Sequence, residues 1–355
     1  MHSLRQVLIL FAWVSVCLLC PAGSMHLSAQ SDSRSFAFLN LPVSARLTAL
    51  GGTNVATRDG ELSFMLRNPA LLSEATDKVL SLNYANLMTT ENCANVLYAH
   101  NYHDNRFGGA VHYVDYGKMA YADELGGRTG QTFSARDILI QLTYARQLGR
   151  WFTVGASLKP VISVYGEYSS FSLGADVGGH FQTRDSSFHL GISLQNIGWQ
   201  LKTFYPGARR EMLPLNLQLG LSYRFRHAPL RLGMTIHDMQ CWNLNYQLTN
   251  QPRTSTLSGE TAADQAVPWY DMLFRHTVFS IEVVPKSERF WLAVSYNHRM
   301  RQEMHLKDQR SMAGFAVGAG LRLKQFRLAY AFTMYQKGQF VHQASLSMNI
   351  NEFLK

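Results

Sequence analysis

Charge is scarce in this chain, and the charge present forms no cluster. Charged residues make up 16% of the 355 positions, against ~25% in an ordinary soluble domain. The formal net charge is +9, a balance that often signals nucleic acid or an anionic surface. No dense Lys/Arg run or basic helix accompanies it, which argues against a nucleic-acid partner. A continuous apolar run of about 20 residues is also missing from the body of the chain, so no segment there suits a membrane-spanning helix. Cysteine is sparse. Of the four, Cys17 and Cys20 fall in the N-terminal leader, leaving Cys93 and Cys241, whose spacing does not say whether they pair. No G-x-S-x-G elbow, P-loop or H-E-x-x-H is present. The 13 histidines are scattered. His100 and His103, the closest pair considered, fall on opposite faces of a strand end, so neither a metal nor a cofactor site is expected. The chain reads as non-enzymatic.

The leader itself reads as an export signal. Arg5 supplies positive charge, 7–20 form an apolar run, and Leu27-Ser28-Ala29 resembles a small-residue cleavage site. A run of about 14 residues is too short to span a bilayer as a helix. Residues 1–29 are therefore expected to be a secretory signal peptide. A lipoprotein signal at Cys20 is the rival, and Leu19 stands where that signal needs a small residue. Removing 1–29 takes Arg5 and no acid, which lowers the formal charge from +9 to +8.

From residue 79 onward the hydrophobic period is two. In PLNLQLGLSYRF (214–225), Leu215, Leu217, Leu219, Leu221, Tyr223 and Phe225 share one face, opposite Asn216, Gln218, Gly220, Ser222 and Arg224. FRLAYAFTMY (326–335) and QFVHQASLSMNI (339–350) repeat the pattern. Side chains alternate sides along a strand, so each such run has one apolar and one polar face. The alternation predicts about fourteen strands: 79–88, 94–103, 107–116, 137–148, 151–164, 168–182, 187–196, 214–226, 230–239, 276–285, 290–300, 311–323, 325–336 and 339–350. Many approach the ~9–11 residues that a tilted strand needs to cross a bilayer. Very short connections alternate with longer ones at 117–136, 197–213, 240–275 and 301–310, the pattern of short periplasmic turns and external loops. An exported soluble β-sandwich is the rival architecture. The expected fold is all-β, an antiparallel outer-membrane barrel of about 14 strands spanning 79–355. Its inward faces read as Ser, Asn, Gln, Arg and Gly.

Residues 30–78 fit no strand. Gly51-Gly52 permits a tight bend, and Pro69 restricts Asn68 to extended geometry. The segment FAFLNLPVSARLTALGG (36–52), followed by Asn68-Pro69-Ala70, resembles the N-terminus of the PorV/PorQ family of Bacteroidota outer-membrane proteins. LKPVISVYGEYSSFSLGADVG (158–178), LQNIG (194–198), DMLFRHTVFSIEVVP (271–285) and YNHRMRQEM (296–304) extend the resemblance, toward its PorQ-like members, over almost all of the mature chain. The Ser-Ala-Arg, Leu-Gly-Gly and Asn-Pro-Ala pattern is also shared with relatives of the long-chain fatty-acid transporter. The resemblance implies a barrel like that transporter's, with 30–78 folded into the lumen as a plug carrying Ser44, Ala45, Arg46, Gly51, Gly52, Asn68 and Pro69. Arg46 is expected to reach a wall carboxylate, with Asp176 as the candidate.

The resemblance further implies a role in type IX secretion, as a membrane anchor for a PorZ-like surface protein. PorU and PorV would belong to the same attachment complex, which joins cargo to anionic lipopolysaccharide. Long loops rich in aromatics suit an interface. The docking residues expected on them are Trp199, Tyr205, Trp242, Tyr246, Trp269 and Tyr270. Lys202, Arg209 and Arg210 are candidate lipopolysaccharide contacts, since cationic side chains match phosphates. The alternative is a transporter or channel for a hydrophobic solute, which calls for an apolar lumen.

Overall fold

Strict alternation of apolar and polar residues leaves a strand one option in a membrane. The apolar face meets lipid, and every backbone N–H and C=O finds its partner on a neighbouring strand. The chain takes that option. A computed structural model describes residues 36–87, 91–122, 128–242, 244, 268–285, 287–304, 312–336 and 339–352. The expected signal peptide, Tyr246 and most of the 240–275 segment lie outside them.

The strands are β1 (Val79–Asn86), β2 (Asn92–Tyr102), β3 (Asn105–Ala122), β4 (Arg128–Leu148), β5 (Phe152–Tyr165), β6 (Tyr168–Gln182) and β7 (Phe188–Lys202). They continue as β8 (Asn216–Arg224), β9 (Leu230–Ile236), β10 (Thr277–Val283), β11 (Phe290–Asn297), β12 (Phe315–Leu323), β13 (Phe326–Gln336) and β14 (Gln339–Asn349). Each pairs with its neighbours in sequence, and β14 closes on β1 from Val79↔Asn349 to Asn86↔His342. Closure leaves no unpaired sheet edge. Among the described residues the α-helices are α1 (Ala45–Ala49), α2 (Trp269–Arg275) and α3 (His298–Glu303).

The outer wall is the apolar one. Leu82, Tyr84, Val96, Leu142, Ile192, Leu292 and Leu328 are exposed on it, while their sequence neighbours Ser81, Asn83, Asn95, Gln141 and Ser193 are buried inside. The same holds for Tyr223 and Phe225 against Gln218 and Ser222, as the alternation predicts.

Two connections differ from the sequence expectation. Within 117–136, residues 117–122 and 128–136 are strand rather than loop. β3 and β4 run on as an 18- and a 21-residue hairpin, far longer than a ~25 Å apolar belt requires. The ladder absorbs the break at Gly117 (φ 76°) as a register shift between Asp115 and Lys118. Likewise β7 does not end at 196. Asn196 takes φ 59° at a bulge, and the strand continues to Lys202. The Asp176 carboxylate fixes that bulge by accepting the Asn196 backbone N–H at 2.8 Å. A bulge of one residue restores the inside–outside alternation beyond it, so Ile197, Trp199 and Leu201 face outward.

Candidate functional site

The lumen is filled by the segment 36–78. Three features of its sequence shape it. Gly51 and Gly52 adopt φ 86° and 81°, turning the chain after α1. Asn68 is extended (φ −143°) ahead of Pro69, and its side chain accepts the Ala70 N–H at 3.0 Å. The Asn68 amide then donates to the carbonyls of Val55 (2.8 Å) and, on β6, Gly179 (3.2 Å). The wall is cut to receive this turn. A Cβ on Gly155 of β5 would sit 2.6 Å from the Pro69 carbonyl carbon, and one on Gly178 would collide with the Asn68 carboxamide. Glycine inside a strand marks such close approach of another backbone.

Polar wall residues tie the segment down. Ser345 Oγ accepts the Ala45 N–H at 2.9 Å, and Gln343 donates to the Pro42 carbonyl at 2.7 Å while accepting from Thr48 Oγ1. On the opposite side the Arg67 carbonyl accepts from Ser193 Oγ at 2.7 Å and from the Gln195 amide. Ser44 is fully buried.

Towards the short-turn end lies a buried quartet of alternating charge. Arg46 donates through Nε (3.0 Å) and Nη2 (2.8 Å) to Glu282 Oε1 on β10, and its Nη2 lies 2.5 Å from Asp59 Oδ2. Arg231 on β9 closes the ring, 2.6 Å from Asp59 and 2.8 Å from Glu282. Burial alone would raise the Asp59 carboxyl, but Arg46 and Arg231 outweigh it and hold the group well below the usual carboxylate range. The Arg46 guanidinium also lies 5.6 Å from the Phe64 ring and 5.4 Å from Trp291. Arg46 thus reaches Glu282 rather than Asp176. Asp176 is held by Lys159 at 2.6 Å, one strand away, and by the Asn196 bulge. Below the quartet a polar cavity of 390 Å³ is lined by Arg58, Asp59, Glu74, Arg106, His189 and Arg231, among others.

The other end of the lumen differs in kind. Phe36, Phe38, Leu39 and Val43 pack there against inward-facing Ala85, Cys93, Val114, Leu139, Val161 and Val341 of β1–β5 and β14. The inward faces read from the sequence as Ser, Asn, Gln, Arg and Gly; at this end they also carry Ala, Cys, Val and Leu. On β14 the inward positions run from Ser347, Ser345 and Gln343 to Val341 toward the long-loop end, while on β2–β5 polar and apolar inward residues alternate. At the margin of the chamber Tyr116 donates to Asp137 at 2.6 Å and Tyr165 to the same carboxylate at 3.1 Å. Cys93 lies 3.1 Å from His112 Nε2, and no disulfide joins it to Cys241.

Five of the six residues expected to dock a partner are among the described residues. Trp199 stands on the lipid-facing side of β7, because that strand continues past the expected loop boundary. Tyr205 is exposed on the connection after β7. Trp242 stacks on His276 with ring centroids 5.4 Å apart. Trp269 and Tyr270 lie on α2. Lys202 donates to Ser169 Oγ at 2.7 Å at the end of β7, and Arg209 and Arg210 are exposed beyond it. Among the described residues no cluster of His, Cys, Asp or Glu is arranged to hold a metal. Sequence reasoning missed Glu282, Asp59, Arg231 and Lys159. The signal available for Glu282 was its inward place in the alternation Phe279-Ser280-Ile281-Glu282.

No protein-family model and no curated protein sequence matches the chain. Solved structures do. The toluene transporter TodX of Pseudomonas putida is similar with a TM-score of 0.51 and 14% identity, over 86% of this chain and 96% of that one. A deltaS2 mutant of the TodX monoaromatic hydrocarbon channel gives 0.52 and 15% over the same shares. A Pseudomonas aeruginosa FadL homologue, at TM-score 0.49 and 11% identity, covers 87% of this chain and 99% of its own. These findings overturn the surface-anchor role expected from the sequence. The similar barrels are a toluene transporter and a monoaromatic hydrocarbon channel. What the likeness and the closed fourteen-strand ring establish together is an integral outer-membrane β-barrel with the fold of the hydrocarbon channels.

Proposed function

We propose that the protein is a non-enzymatic outer-membrane channel for a hydrophobic solute, closed by its own N-terminal segment. The observation that carries this reading is the apolar half-lumen. Inward Val114, Leu139, Val161 and Val341 form an apolar wall at the long-loop end of the lumen. A path for an apolar solute needs them, since burying apolar surface stabilises by about 25 cal/mol per Å². Phe36, Phe38 and Leu39 occupy that wall and stand where the solute's hydrocarbon would lie. The polar quartet supports the same reading, because it fixes the segment at the end of the lumen opposite the apolar chamber. The fold shared with TodX adds support at the level of architecture. The PorV/PorQ likeness of the quoted segments is proposed as an affiliation of sequence only.

Uptake of a labelled monoaromatic hydrocarbon and of a long-chain fatty acid into vesicles of outer-membrane lipid tests the proposal. Uptake above that of protein-free vesicles is expected, rising further in Phe38→Ala, which empties part of the chamber. Rates equal to protein-free vesicles for both solutes and both proteins would overturn it.

A further inference from the structure

The helix α2 carries its apolar residues on the wrong side for a helix in water. Trp269, Tyr270, Leu273 and Phe274 are 71%, 54%, 40% and 47% exposed. At 3.6 residues per turn these four positions fall within an arc of about 140°. The opposite arc is the one that packs. Met272 is buried, with its sulfur 3.4 Å from the Leu244 N–H, and Asp271 pairs with Arg275 at 2.8 Å and with His298 of α3 at 2.7 Å. A surface helix of a globular domain places its apolar stripe the other way.

The exposed face is continuous with the lipid-facing wall. The Phe274 ring lies 6.4 Å from Phe279, which points outward from β10. Register places Phe279 opposite Tyr296 and Tyr296 opposite Phe315, so three aromatic side chains form one row across β10, β11 and β12 at the long-loop margin. The Tyr296 and Phe315 rings are 4.9 Å apart. A polar tie fixes the helix against this row: Tyr296 Oη is 2.9 Å from His298 Nδ1, and His298 Nε2 is 2.7 Å from Asp271. Rings of Trp and Tyr favour the depth where acyl chains meet headgroups, and an amphipathic helix at that depth buries its apolar face in lipid.

We propose that α2 is an interfacial anchor lying on the outer leaflet of the outer membrane, with Trp269, Tyr270, Leu273 and Phe274 inserted among the lipids. It extends the aromatic row sideways from the barrel. It also fixes the far end of the β9–β10 connection at the membrane surface. Trp269 and Tyr270 thereby gain a role that needs no protein partner.

The test uses the full-length mature protein in vesicles. The difference between wild-type emission and that of Trp269→Phe isolates Trp269. A second variant, Trp269→Phe with Tyr270→Trp, moves the reporter by one residue. With lipids brominated near the headgroup end of the acyl chain, the reporter in each case is expected to lose most of its intensity, and iodide in the water to remove little. A reporter that iodide quenches and brominated lipid does not, in both proteins, would place the face in water or against a protein partner and overturn the proposal.

Discussion

Replacing Arg46 with methionine tests whether the buried quartet holds the lumen shut. The substitution keeps a long unbranched side chain beside Phe64 and Trp291 and removes the cation. Arg46 and Arg231 balance Asp59 and Glu282. In Arg46→Met both carboxylates are left to share the Arg231 ion pairs, where the Glu282 side chain is only 1% exposed. Breaking a buried ion pair from one side costs ~3–5 kcal/mol. The lower end applies here, because a cavity of about 50 Å³ beside Arg46 and Asp59 gives water some access. At 1.4 kcal/mol per factor of ten, a loss of ~3 kcal/mol raises the undocked fraction of the segment about a hundredfold. Single-channel recording in planar bilayers reads that fraction as the frequency of open events. The double variant Arg46→Met with Glu282→Gln leaves the neutral pair Asp59–Arg231, so it should recover part of the loss, a coupling of about 0.5–3 kcal/mol. An Arg46→Met channel as quiet as wild type, or a double variant as open as the sum of its parts, would refute the reasoning.

Acidification probes the same quartet. Asp59 is depressed in the folded protein, so its contribution is complete above the ordinary carboxylate value near 4 and is lost as pH falls from there toward the depressed value; open frequency is expected to be equal at pH 8 and 5 and to rise at pH 3. A rise between pH 7 and 5 would move the explanation to His180 and His189, beside the Ala56 carbonyl. Gly155→Ala places a methyl 2.6 Å from the Pro69 carbonyl carbon and 2.8 Å from the Ala70 nitrogen, backbone atoms with no rotamer to escape by, and overpacking of this kind costs ~1–3 kcal/mol. A lower unfolding temperature together with more open events is expected, and an unchanged pair of readings would refute the tight fit.

The barrel was largely legible because its signal is local. Leu215 to Phe225 show their face within a dozen residues, and every expected strand corresponds to one in the ring. The misses were also physical. At Gly117 and Asn196 the sequence shows residues that break a regular ladder, and a bulge keeps the strand going where a loop was expected. Nothing local distinguishes the two outcomes, since the extra residue is accommodated only by the partner strand.

The candidate site was less legible because its parts are brought together only by closure of the ring. Arg46 and Glu282 are 236 positions apart, and Asp59 and Arg231 are 172 apart. Asp59, in Thr57-Arg58-Asp59-Gly60, looks like an ordinary turn acid. Asp176 attracted the assignment as partner to Arg46 because it is an inward acid, but inward position fixes only the face and not the height. Its carboxylate is already committed to Lys159 on the neighbouring strand β5 and to the Asn196 N–H. The apolar chamber was hidden in a different way. Judged over a whole strand, the inner face of β2 is mixed, with Cys93 and Asn95 both buried two positions apart. Only when β1–β5 and β14 are set side by side do Ala85, Cys93, Val114, Leu139, Val161 and Val341 reach one level. Gly155 and Gly178 are the counterpart on the polar side. In sequence they weaken two strands, and in the barrel they leave the space that the Asn68-Pro69 turn occupies. That fit makes the turn and its wall one unit, so a segment that opens the channel is expected to release the apolar stretch 36–43 before it releases Asn68.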